Sequence, residues 1–98
     1  MLKVIAQIYI ANEADADAVL ALYRQLADES RKEDGCHQYD IYQDNADPTH
    51  IIVDELWDSE AHLMAHTKTA HYTTIGPKTG TYACPDRKKK IELFTQRV

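Results

Sequence analysis

The chain has 98 residues, enough for one domain (1–98) and too few for two. With 44% hydrophobic and 28% charged residues it is not a disordered chain. Acidic residues outnumber basic ones 16 to 11, a net charge of -5 that runs against nucleic-acid binding, and no apolar run nears the roughly 20 residues that span a bilayer.

The opening MLKVIAQIYI lacks the long apolar core and small-residue cleavage site of a signal peptide. Cys36 and Cys84 stand too far apart for a CxxC pair or a disulfide framework, so a reducing, cytoplasmic location is expected. Leu2 to Ile10 reads as a strand. Leu2, Val4, Ala6, Ile8 and Ile10 share one face and Lys3, Ile5, Gln7 and Tyr9 the other; both are largely apolar, so both are expected to be covered.

Acidic residues at Asn12-Glu13-Ala14-Asp15 suit a helix start, and Ala14 to Glu33 reads as an amphipathic helix. Its expected stripe is Ala18, Leu22 and Leu26, with Val19 beside it and Gly35 as the C-cap. Cys36 to Asp44 alternates again, with His37, Tyr39 and Ile41 on one side. Asn45-Ala46-Asp47-Pro48 is a turn, and Thr49 to Trp57 the returning strand of an antiparallel hairpin.

Asp58 or Ser59 can cap the next helix, whose buried side is Leu63 and Met64. Thr67 to Thr74 continues it or forms a second short helix, and Gly76-Pro77 is expected to stop it. After a loop to about Asp86, a last strand covers Lys89 to Gln96. The order strand, helix, strand, strand, helix, strand predicts an α+β, ferredoxin-like fold: a four-stranded antiparallel sheet with helices on one face. The other face carries too many apolar groups for water, which points to a homodimer closing two sheets into a barrel.

Five histidines crowd the chain, three of them at His62, His66 and His71. His62 and His66 share a helix face, a spacing that can hold a metal, yet no HExxH or other metal signature is present, and no bound metal is expected. Glu55 shares a strand face with Ile51, Val53 and Trp57. A carboxylate there needs a partner, and His66 is the natural one, as an acid–base pair or as a structural bond. Trp57, Tyr39, Tyr72, Phe94 and Tyr9 can line a pocket for a planar ligand or simply fill the core. The run Arg87-Lys88-Lys89-Lys90 reads first as a solvated strand start. No Gly-rich phosphate loop or dinucleotide fingerprint is present, so redox chemistry is expected to fall on the substrate and no cofactor is expected.

Gly35-Cys36-His37-Gln38-Tyr39, Glu55-Leu56-Trp57, Ala65-His66 and His71-Tyr72 together resemble the antibiotic biosynthesis monooxygenase family, over nearly the whole chain. The resemblance implies a dimeric α+β barrel and cofactor-independent oxidation of a small quinol or related aromatic by dioxygen. Glu55, His66 and His71 would be the catalytic residues, and Trp57, Tyr72 and Tyr39 would hold the ring. His66-Thr67-Lys68-Thr69-Ala70-His71-Tyr72 and the basic run also resemble the branch that isomerises phosphorylated autoinducer-2. That alternative is an isomerase of a small carbonyl compound, with Lys68 or Arg87 meeting a phosphate. A third reading is a non-catalytic dimer that binds a small molecule.

Overall fold

The first strand, β1 (Leu2–Tyr9), lies inside the sheet, with Val4, Ala6 and Ile8 buried on one face and Lys3, Ile5, Gln7 and Tyr9 half-buried on the other, which no element of the chain covers. The computed structural model describes residues 1–98, and its four strands are ordered β2 (Cys36–Gln43), β3 (His50–Trp57), β1, β4 (Lys90–Thr95). Every neighbouring pair is antiparallel. Three helices, α1 (Ala16–Ser30), α2 (Glu60–His66) and α3 (Ala70–Gly80), complete the ferredoxin-like α+β fold that the sequence predicts. None of them is long and apolar enough to cross a membrane.

The register puts Val4 opposite Glu55, Ala6 opposite Val53 and Ile8 opposite Ile51, and these residues form the helix-covered face. Ile51 and Val19 are fully buried there, each a contribution of about 1.5–3 kcal/mol. On the open face Lys3 reaches Asp54 at 2.6 Å and Gln38 at 2.8 Å, beside half-buried Ile5, Ile52 and Leu56. Phe94 and Tyr42 stand exposed on the same face.

Met64, expected on the buried side of α2, is half exposed. Three other expectations about the helices and strands change. The buried stripe of α1 is Ala16, Val19, Tyr23, Leu26, Ala27 and Ser30; Ala18 faces solvent and Leu22 is half-buried. The Ala and Leu residues of this helix are spread around its circumference, and Tyr23 decides which side turns inward. Second, α3 passes through Gly76-Pro77 and ends at Gly80. Pro77 removes the N–H that would bond the Thr73 carbonyl, but both residues are exposed, so water can take its place. Third, the β2–β3 register shifts between Cys36 and Gln38, and His37 is the extra residue. The bulge puts Cys36 rather than His37 on the side of Tyr39, while His37 bonds exposed Asp58.

Between α1 and β2 the chain reverses in a tight turn closed by the Cys36 N–H on the Glu33 carbonyl. Gly35 has φ +80 there, in the third place of the turn, and a Cβ on it would come 2.4 Å from the His62 ring. Gly35 is therefore the hinge of this turn, five residues past the end of α1, rather than a cap on its last residue. The turn holds Glu33, half-buried, against the helices that follow β3.

Candidate functional site

Ser59 caps α2, accepting from the His62 N–H, and Thr69 caps α3, accepting from the Tyr72 N–H. Only Thr67, Lys68 and Thr69 separate the two helices, so the last residue of α2, His66, and the first turn of α3, with His71 and Tyr72, fall side by side. The His66 ring is packed by Trp57 at 4.8 Å between centroids, by Tyr72 at 5.0 Å and by Tyr39 at 5.5 Å. Its side chain is 2% exposed.

His66 does not pair with Glu55. Its Nδ1 lies 2.5 Å from Glu33 Oε2, and His71 Nε2 lies 2.8 Å from the same oxygen. Glu55 instead accepts a hydrogen bond from the Trp57 indole N–H at 2.9 Å. The reason is direction: the Glu33 turn delivers its carboxylate to the outer side of His66, while Glu55 sits one step along β3 from Trp57 on the same face. An ionised Glu33 accepts from both rings, so His66 carries its proton on Nδ1 and leaves Nε2 as a free acceptor. Burial lowers the pKa of His66, partly opposed by Glu33, and the lowered pKa keeps the ring neutral, with a lone pair free to accept a proton.

His66 and Glu55 both line a cavity of about 480 Å³ between the sheet and the helices, with Val4, Leu26, Tyr39, Tyr72 and Ile91 among its walls. The cavity is mostly apolar and lies beneath α3 and beside β4, which no helix covers; Ile91 and Leu93 are consequently half-exposed. A shallower depression of about 730 Å³ lies along the outer face of α1, over Leu20, Arg24 and Ile41. It is larger, but it gathers no buried polar group, so the His66 cavity is the better candidate site.

Burial raises Glu55 to about 7, an effect that the Trp57 hydrogen bond and Lys89 only partly offset. An acid that folding holds protonated stabilises the native state fully below its unfolded value of 4.5, and that contribution is lost as pH rises through about 7. Wild type is therefore expected to lose stability relative to Glu55→Gln by on the order of 3 kcal/mol between pH 4.5 and 8. Urea unfolding midpoints of the two proteins across that range measure it, and parallel profiles would refute the assignment.

The remaining predicted residues divide. Trp57 is fully buried beneath His66 and supports the site from behind. Tyr72 and Tyr39 reach the cavity, and burial pushes the Tyr39 hydroxyl far up, so it stays a neutral donor. His71 stands outside the wall, joined through Glu33. Lys68 is exposed in the turn after α2. Arg87 pairs with Asp47 at 3.1 Å and lies 4.2 Å over the Tyr9 ring, on the opposite side of the sheet. Neither cation is at the cavity; Lys89 is the one that lines it. The phosphate role given to Lys68 and Arg87 thus loses its geometry. Burial pushes the Cys36 thiol up to about 11, so it is no nucleophile at neutral pH. Glu33, the partner of two histidines, is the residue the sequence reading lacked.

The family described as antibiotic biosynthesis monooxygenase matches residues 1–77 of this chain. Escherichia coli YgiN, a protein named as a probable quinol monooxygenase, is 36% identical over 80 residues, covering 72% of this chain and 77% of its own. A crystal structure of an antibiotic biosynthesis monooxygenase superposes with a TM-score of 0.90 at 35% identity, over 100% of both chains. A solved protein of Pseudomonas aeruginosa gives 0.87 at 30% identity, over 99% of this chain and 94% of its own.

Proposed function

This chain belongs to the antibiotic biosynthesis monooxygenase family, and from that premise we propose that it oxidises a small quinol or related aromatic with dioxygen, the substrate supplying the electrons. The observation that carries this reading is His66: buried, fixed at Nδ1 by Glu33, without a hydrogen-bond partner at Nε2, and lining an apolar cavity. A base held in one tautomer within a water-poor pocket is what removal of a phenolic proton needs.

The steps balance with these groups. His66 Nε2 takes the hydroxyl proton, and Glu33 stabilises the imidazolium through the Nδ1–H bond. The electron-rich quinolate reduces dioxygen and forms a carbon–oxygen bond, and the resulting peroxide takes the proton held by His66 to become a hydroperoxide. His66 then removes the ring hydrogen from the same carbon as the O–O bond breaks: one oxygen stays as a carbonyl, and the other leaves as hydroxide and takes that proton to become water. Glu55, raised to about 7 and so still partly protonated at neutral pH, can donate a hydrogen bond to the developing oxyanion in that form. Tyr72 and Tyr39 flank the ring; Trp57 holds Glu55 and His66 in place.

Oxygen uptake by the purified protein over a panel of dihydroxyaromatics tests this reading beside His66→Ala. Uptake above the uncatalysed rate that collapses in the variant is expected. A product of unchanged mass formed without oxygen would overturn it in favour of an isomerase.

The half-buried Ile5, Ile52 and Leu56 of the open sheet face, with exposed Phe94, support pairing of two chains through that face. Sedimentation of wild type as a dimer and of Ile52→Lys as a monomer is the expected result; a monomeric wild type would rule it out.

A further inference from the structure

We propose that Glu33, His66 and His71 form a binding site for one zinc-like divalent cation, and that occupation of this site silences the base in the cavity. The second half rests on the functional reading above; the first does not.

The donor set suits the ion. Two imidazole nitrogens and one carboxylate oxygen are ligands zinc takes, with a fourth position left for water. The three donor atoms lie within 4.8 Å of one another, and the two nitrogens stand 2.5 and 2.8 Å from Glu33 Oε2. A tetrahedral ion with bonds of about 2.0–2.1 Å holds its ligand atoms roughly 3.3 Å apart. The two nitrogen–oxygen separations fall below that value, so each hydrogen-bonded pair needs to open by less than about 1 Å. The three residues come from a tight turn, the end of α2 and the first turn of α3, so the donors are fixed by backbone structure. Glu33 and His71 side chains are 14% and 18% exposed, which gives an ion a way in from solvent. The helical pair whose spacing can hold a metal, His62 and His66, is not this set: His62 turns to Ser59 and Asp34 instead.

The consequence for the cavity follows from proton placement. Metal-free, His66 keeps its proton on Nδ1 and its lone pair on Nε2. A metal on Nδ1 displaces that proton and takes the Nδ1 lone pair, and the neutral ring must carry its one proton on Nε2. The nitrogen facing the cavity becomes a donor and can no longer accept a proton from the substrate. The ring is neither oxidised nor lost, so removal of the ion restores the base.

Chelator-treated protein is dialysed against zinc and its metal content measured, with cobalt as the spectroscopic probe of the same site. About one ion per chain and a tetrahedral cobalt spectrum are expected for wild type and for His37→Ala, an exposed histidine elsewhere. His71→Ala and Glu33→Gln are expected to lose both signals. His71→Gln, which keeps a donor to Glu33, covers the case in which alanine unfolds the chain, and thermal melts identify that case. A wild type that retains no ion, or equal retention in His71→Gln, overturns the site. Zinc is expected to suppress oxygen uptake at least tenfold, and a chelator to restore it. Zinc held at these residues with uptake unchanged overturns the switch and leaves the site standing. If zinc-free protein consumes no oxygen, the functional reading fails and takes the switch with it, while the metal measurements still decide the site.

Discussion

Glu33→Gln is expected to lower kcat for oxygen uptake by roughly two to four orders of magnitude while changing KM little. The carboxylate does not touch the cavity; it acts through His66, whose Nδ1 it holds at 2.5 Å. A glutamine there can offer N–H instead of accepting it, which favours the ring with its proton on Nε2. The cavity then meets a donor where it needs an acceptor. Glu33 also stabilises the imidazolium that forms on proton transfer, and that help is lost too. A second readout separates this role from a structural one. Glu33 raises the His66 pKa against the lowering effect of burial, so its removal is expected to move the acid limb of kcat/KM to lower pH. Glu33→Asp, which keeps the charge but shortens the reach, is expected to recover part of kcat. A glutamine variant with unchanged kcat and an unmoved acid limb would remove Glu33 from the mechanism.

Glu33 also marks where the sequence stops being informative. The sheet is legible because its signal is local: alternation at Val4, Ala6 and Ile8, a turn at Asp47-Pro48, and β-branched residues at Ile51 to Val53. The pair Glu55 and Trp57 is legible for the same reason, since two residues apart on a strand share a face. Glu33 stands 33 residues before His66 and 38 before His71. In sequence it belongs to the charged run Arg31-Lys32-Glu33-Asp34, which reads as a solvated helix end. Only the Gly35 turn, tight enough that a Cβ would strike His62, directs that carboxylate inward. The glycine was readable; the direction of the preceding side chain was not. Arg87 fails in the opposite way. Its charge invites a phosphate, but it stacks on Tyr9 and pairs with Asp47, a residue of the distant hairpin turn.

Trp57 carries the largest stability effect, because the core and the site meet there. It is fully buried, pairs with Leu2 and Cys36 across the sheet, donates to Glu55 and packs on His66. Trp57→Ala is expected to cost about 3–5 kcal/mol in urea unfolding, the usual range for emptying a large aromatic site. That loss mixes a cavity with an unpaired buried acid. Trp57→Phe keeps much of the packing and removes the indole donor, leaving Glu55 without its partner. Because the Trp57 bond favours ionised Glu55, its removal is expected to raise the Glu55 pKa further above about 7. Combining Trp57→Phe with Glu55→Gln isolates the bond: a coupling of about 1–3 kcal/mol is expected, since both groups are buried. Additive losses would mean that Trp57 supports His66 by packing alone, and that Glu55 owes its position to β3 rather than to the indole.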